Sequence, residues 1–179
     1  MEDNGASLIA VHARTKAQAY TGQADWDAIA EVKQAVRIPV LGNGGVLCVA
    51  DIGRIKRHTG CDGVMIGHGA MGHPWIFQRR DREEIPFVEK TTMMRRHLVA
   101  MVDYYGEEKG VVLFRKHAVR YLRGTPNITQ LRIALLTHES LAEVMRAIDT
   151  YEAHVYAVES GEWQARPGAW KLENCLIEE

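Results

Sequence analysis

Two short apolar runs, residues 38–41 and 64–66, each stop at glycines (Gly42, Gly44, Gly45; Gly67, Gly69), and a helix-length segment, 49–59, lies between them. That order spells a strand, a crossover helix and a parallel strand, with a glycine-rich loop at the carboxyl end of each strand. Glycine in such loops lets backbone N–H groups approach an anion closely, and the segment 68–71 would add the partial positive charge of a helix N-terminus. Paired loops of this kind hold a phosphate in (β/α)8 barrels, at the turns after the last two strands and a short extra helix. Singly, each loop reads more readily as a tight turn; the two together, one strand apart, favour a phosphate site.

Upstream, the run 8–11 predicts a third strand. Asn4-Gly5 before it has the form of a helix C-cap, although only four residues precede the glycine. His12, Ala13, Arg14 and Thr15 follow the strand. Asp25 is placed to cap the next helix, whose buried face is Trp26, Ile29, Val32 and Val36. Ile38-Pro39 ends that helix, because the residue before proline is pushed out of the helical region. Ile52 and Ile55 form the buried side of the next helix, and Gly60 is its cap. Three strand–helix units without a hairpin signal predict a parallel sheet. They do not close an eight-stranded barrel, which takes about 250 residues.

Beyond Pro86 the pattern turns wholly helical, so the chain is expected to divide into residues 1–86, 87–160 and an irregular tail, 161–179. Met94, Leu98, Met101, Val102 and Tyr105 repeat with helical spacing, and Gly106 and Gly110 are read as breaks. Val111, Phe114, Ala118, Tyr121 and Leu122 make a second stripe, residues 128–136 a third helix, and Leu141, Val144, Met145, Ile148, Tyr151 and Val155 a fourth. Short loops between them predict an antiparallel bundle. On a helical wheel Arg115, Arg123, Lys116 and Arg120 span roughly 140°, opposite an apolar arc of roughly 100°. With His117 beside it, this stripe suits a phosphate backbone, though it equally fits a solvated basic face.

A net charge of −1 conceals this asymmetry: residues 90–137 hold nine Lys or Arg against three acids, and residues 138–179 three against nine. A hydrophobic fraction of 46% and a charged fraction of 25% are those of a globular protein. No apolar run approaches the roughly 20 residues of a membrane helix. The start, MEDNGASLIAV, does not read as a secretory signal. Cys48, Cys61 and Cys175 form no CxxC pair, which suits a reducing cytoplasm and argues against zinc or a disulfide framework.

His12-Ala13-Arg14-Thr15, the loop IPVLGNGG, the stretch TGCDGVMIGHGAMGHPWIF, and Arg115-Lys116-His117 with Tyr121-Leu122 after them lie in one order within residues 4–151. In this the chain resembles the C-terminal portion of the tRNA-dihydrouridine synthases, FMN-dependent enzymes with a (β/α)8 barrel followed by a helical domain. The glycine loops alone are shared by several phosphate-binding barrels; their combination with residues 12–15 and Pro74-Trp75-Ile76-Phe77 is far more specific. The resemblance implies an α/β fold: the last three βα units of a TIM barrel, followed by an all-α bundle. It also implies that Asn43, Gly44, Gly45, Gly67 and His68 bind the FMN phosphate and ribityl chain and that His12 approaches the flavin. Arg14 would place RNA at the barrel mouth, and Arg115, Lys116, His117, Arg120 and Arg123 would grip tRNA. Gly45 stands where the family often has an acidic residue, and His68 where it often has arginine. Histidine carries less charge at pH 7 and lacks arginine's bidentate phosphate contact, which bears on FMN affinity.

By the same resemblance, NADPH reduces FMN, hydride passes to C6 of a flipped-out uracil, and a cysteine from the first half of the barrel protonates C5. Neither that cysteine nor a flavin-contacting lysine has a counterpart in these 179 residues. No catalytic residue is therefore assigned. The expectation is a cytoplasmic family member lacking its N-terminal half, inactive alone, and depending on a separately encoded half or on self-association. Two other readings stand beside it. Another FMN-binding barrel oxidoreductase, of the dihydroorotate dehydrogenase type, explains the loops but not the basic bundle; a non-catalytic RNA-binding fragment explains the bundle and needs no flavin.

Overall fold

The computed structural model of the chain describes residues 1–19, 21–125 and 128–159. The expected tail over 161–179, with Cys175, lies outside them. The chain divides into two compact units, Met1–Arg82 and Glu83–Glu179.

The first unit is a three-stranded parallel sheet, β1 (Ile9–His12), β2 (Val40–Asn43) and β3 (Gly63–Met65), in the order β1-β2-β3. The crossovers are α1 (Trp26–Ala35) and α2 (Val49–Thr59). Asp25 caps α1 as its side chain predicts, accepting from the N–H groups of Asp27 and Ala28. Gly60, at φ 67°, ends α2 in the left-handed region, with its N–H on the Lys56 carbonyl. Val40, Ile29, Ile52, Ile55 and Cys61 are buried together, and Val11, Trp26, Val32, Val36 and Val64 pack around them. Fully burying an isoleucine such as Ile29 or Ile55 contributes about 1.5–3 kcal/mol. Val11, Val40 and Val64 thus turn toward the helices, and by alternation Ala10, His12, Leu41, Asn43 and Met65 stand on the opposite face.

Three local readings are corrected. The strands begin one or two residues away from the apolar runs, so that His12 and Asn43 are strand residues rather than loop residues. Pro39 has no N–H for a ladder, and β2 starts where the Asp62 carboxylate accepts the Val40 N–H at 2.7 Å. Gly5, at φ 89°, caps only a 3-10 turn, Glu2–Asn4. The segment after Gly67 is also a single 3-10 turn, His68–Ala70, and three residues carry little of a helix macrodipole.

The second unit holds α3 (Phe87–Tyr105), α4 (Glu107–Tyr121), α5 (Thr129–Thr137) and α6 (Leu141–Glu159). Contacts run α3 to α4, α4 to α5, α5 to α6 and α6 back to α3. With one residue between them, α3 and α4 can meet only as an antiparallel pair. The apolar stripes meet inside the unit: Met94, Leu98, Val111, Phe114, Ala118, Leu131, Val144 and Ile148 are buried, whereas Tyr105 at the end of α3 is exposed. Gly110 does not break a helix. It lies within α4, and a Cβ there would stand 2.7 Å from the Val102 Cα, so its lack of a side chain lets α3 and α4 approach. Arg95 joins α3 to α6 by pairing with Asp149 and Glu152. No helix among the described residues is long and apolar enough to cross a membrane.

Candidate functional site

The carboxyl ends of β1, β2 and β3 open on a cavity of about 810 Å³ lined by His12, Arg14, Asn43, Gly44, Gly45, Gly67 and His68, with Met65 and Met71 beside them. All six residues assigned to the flavin from the sequence, and Arg14, are therefore brought to one place. Among the described residues no carboxylate lines it and the Arg14 guanidinium does, so the cavity favours an anion. A smaller opening of about 520 Å³ shares Arg14 and Gly45 and is walled by Trp26, Arg54 and His58.

The glycines here differ in what a side chain would meet. Gly44 and Gly45 have φ of 118° and 72°, values that a side chain resists. Gly67 has φ −101°, which any residue adopts, and a Cβ built on it meets nothing within 4 Å. Its backbone thus faces open space. A third glycine joins the loops: a Cβ on Gly69 would lie 2.4 Å from the Val46 carbonyl oxygen, so the second loop rests directly on the backbone of the first.

Carboxylates outside the cavity hold these loops. Asp51 accepts the N–H groups of Leu47 and Cys48 at 2.9 and 3.1 Å, fixing the chain just after Gly45. Burial pushes its carboxyl up, but these N–H groups, the Cys48 side chain and Arg54 outweigh it and hold it below the ordinary range. Asp81 accepts the Val49 N–H at 2.8 Å, and Arg82 donates to the carbonyl of Gly72 at 3.0 Å. The sequence reading missed Asp51, Asp81 and Arg82. Only Asp51 left a signal, since it stands three residues after a helix N-cap, where a carboxylate reaches back to the cap N–H.

At the rim, His12 Nδ1 lies 2.8 Å from Asn43 Oδ1, and Arg14 donates from Nη2 to the Gly22 carbonyl at 2.8 Å. Neither cysteine among the described residues lines this cavity: Cys48 precedes α2, and Cys61 is buried in the core under Gly42.

The basic stripe of the second unit is less uniform than a wheel suggests. Lys116 and Arg120 are exposed on α4, but α4 ends at Tyr121, so Arg123 projects from the turn after it. Arg115 is half-buried and donates from Nη2 to the His138 carbonyl at 3.0 Å, which ties α4 to the end of α5. His117 packs against His97 of α3 at a ring distance of 4.8 Å, and His97 Nδ1 lies 3.2 Å from the Tyr121 hydroxyl.

A parallel α/β unit with glycine turns at the carboxyl ends of two neighbouring strands, accompanied by a four-helix unit, defines the class of the molecule. Residues 1–156 match the family model for dihydrouridine synthase (Dus), and the chain belongs to that family. Similar proteins include a probable tRNA-dihydrouridine synthase of Mycobacterium leprae, 38% identical over 98% of this chain and 51% of the relative. Another of that description, from Rickettsia conorii, is 37% identical over 84% of this chain and 48% of its own length. One from Mycobacterium tuberculosis is 40% identical over 86% and 42%. The chain spans about half the length of the curated relatives it matches.

Proposed function

We propose that this chain is the flavin-phosphate-binding and RNA-binding portion of a tRNA-dihydrouridine synthase, an oxidoreductase that reduces uridine in tRNA with FMN as cofactor and NADPH as electron donor. The observation that carries the reading is the single cavity into which two glycine loops, His12, Asn43, His68 and Arg14 open, with no carboxylate among the described residues that line it. These residues fit the group. The bare backbone at Gly67 and the turns at Gly44 and Gly45 would offer N–H groups to a phosphate, and Arg14 would supply positive charge, with His68 beside it. Bound there, FMN would supply hydride chemistry. His12 on β1 would orient it from the sheet side. Lys116, Arg120 and Arg123 would meet the tRNA backbone, with His117 beside them and Arg115 holding their helix in place. The face of the sheet away from α1 and α2 is what a barrel interior would be, so the three βα units are taken as part of a TIM barrel. The proton donor to uracil C5 is assigned to the part of the relatives that this chain does not match, since Cys48 and Cys61 lie off the cavity.

The test is FMN retention. Gly67→Val fills the open space over the backbone, whereas Gly53→Ala, inside α2, meets only the flexible end of Arg57. FMN binding is expected to fall at least tenfold in the first, about 1.4 kcal/mol or more, and to persist in the second. Equal retention by Gly67→Val and the parent chain would remove the phosphate from this loop.

A further inference from the structure

We infer that His97 of α3 and His117 of α4 form one phosphate site with Lys116 and Arg120, and that this imidazole pair takes up a proton when an RNA phosphodiester occupies it. The two rings meet across the seam between the helices, 4.8 Å apart between centroids. Gly110 permits that approach, since a Cβ there would stand 2.7 Å from the Val102 Cα. His97 is held from the core side: its ring meets buried Phe114 edge-on at 5.6 Å, and its Nδ1 lies 3.2 Å from the Tyr121 hydroxyl. His117 is half-buried, and among the described residues its ring nitrogens have no hydrogen-bond partner.

Burial, His97, Lys116 and Arg120 all oppose a charge on His117, and burial opposes one on His97. The Tyr121 hydroxyl is pushed up by burial and stays neutral. Among the described residues no carboxylate, and no group of α5 or α6, acts on either ring. Cations around an unpartnered imidazole, without a counter-charge, call for an anion. A bound phosphate neutralises Lys116 and Arg120 and is itself an opposite charge, so it favours the imidazolium that the free protein resists. The added proton completes the same cation from either neutral tautomer, so the response does not depend on which ring nitrogen starts protonated. Two imidazolium rings this close repel one another, so one phosphate recruits at most one proton.

The inference rests on the reading of α4 as an RNA-binding face. Calorimetric titration of the full 179-residue chain with unmodified tRNA counts the protons taken up, when it is run at about pH 6.5, the ordinary imidazole value, in two buffers of different ionisation enthalpy. Uptake of up to one proton is expected. Affinity at fixed salt should rise about three- to tenfold from about pH 7.5 to about pH 6, because an opposite charge nearby favours imidazolium by about one pK unit or more. His117→Gln should lose this uptake and most of the rise, whereas His58→Gln, in the first unit, should keep both. His117→Lys, with its fixed charge, should bind at about pH 7.5 as tightly as the parent does at about pH 6, with no uptake at that site. Equal uptake by the parent and His117→Gln would overturn the inference and leave the RNA-binding face standing. A tRNA affinity and salt slope that Lys116→Ala with Arg120→Ala does not change would defeat both.

Discussion

Gly67 and Gly69 look alike in the sequence, two glycines after one strand, yet only Gly69 is required by the packing. Gly67 borders open space, and Gly69 leaves space for the protein itself. At Gly69 the atom in the way is the Val46 carbonyl oxygen, 2.4 Å from a Cβ, and a backbone atom cannot swing aside as a side chain end can. Gly69→Ala must therefore drive the two loops apart, at a cost of about 1–3 kcal/mol, the usual range for overpacking. Gly67→Ala meets nothing within 4 Å and should unfold at the same urea concentration as the parent. Paired urea melts check this. An unchanged midpoint for Gly69→Ala would mean that the loops do not rest on one another.

Helices and strands were legible in the sequence where the signal is local. Asp25 needs only the two N–H groups that follow it, and the stripe Val111, Phe114, Ala118, Tyr121 and Leu122 needs only the helical period; both appear as read. What escaped depends on partners far along the chain. The start of β2 is set by Asp62, 22 residues away, and that carboxyl is held below its ordinary value by Lys33 and the Val40 N–H. Gly110 reads as a breaker until α3 packs so close that an added Cβ would stand 2.7 Å from the Val102 Cα, and Arg115 reads as a surface cation until the end of α5 offers a carbonyl. The cavity residues were legible because two glycine loops fall one strand apart and the family resemblance adds His12, Asn43 and His68 to them. The Asn43 contact with His12 was not, since it requires the register of β1 on β2.

The packing of α3 on α4 also carries a pH response. Burial holds the His97 imidazole below the ordinary value of 6.5, and burial, His97, Lys116 and Arg120 do the same for His117. Below about pH 6.5 the unfolded chain therefore binds more protons at these two sites than the folded one. Their contribution to stability is full above that pH and is lost as the pH falls toward the lowered folded values. Urea midpoints measured from about pH 7.5 down to about pH 5 should decline, and His97→Phe should flatten the decline. Identical slopes for parent and variant would show that the pair is not linked to folding.

At the scale of the whole molecule, charge and sheet topology lead to separate expectations. Lys116 and Arg123 are exposed, so Lys116→Ala with Arg123→Ala should weaken tRNA binding and lower the salt slope by about one for each phosphate that is no longer neutralised. An unchanged slope would make the stripe an ordinary solvated face. Activity is a different matter. Parallel sheets are covered on both faces, but here Ala10, His12 and Met65 are exposed on the face away from α1 and α2. Among the described residues β1 and β3 are each paired along one edge only. An unpaired edge is a template for another chain, and the cavity that gathers His12, Asn43 and Gly67 lies at the end of this open face. With no cysteine at that cavity among the described residues, the 179-residue chain supplied with FMN, NADPH and unmodified tRNA is expected to form no dihydrouridine. Adding the N-terminal half of a full-length relative, which would cover the face and pair both edges, should restore product. Dihydrouridine formed by the purified chain without a second polypeptide would show that three strands and their loops suffice for the reaction.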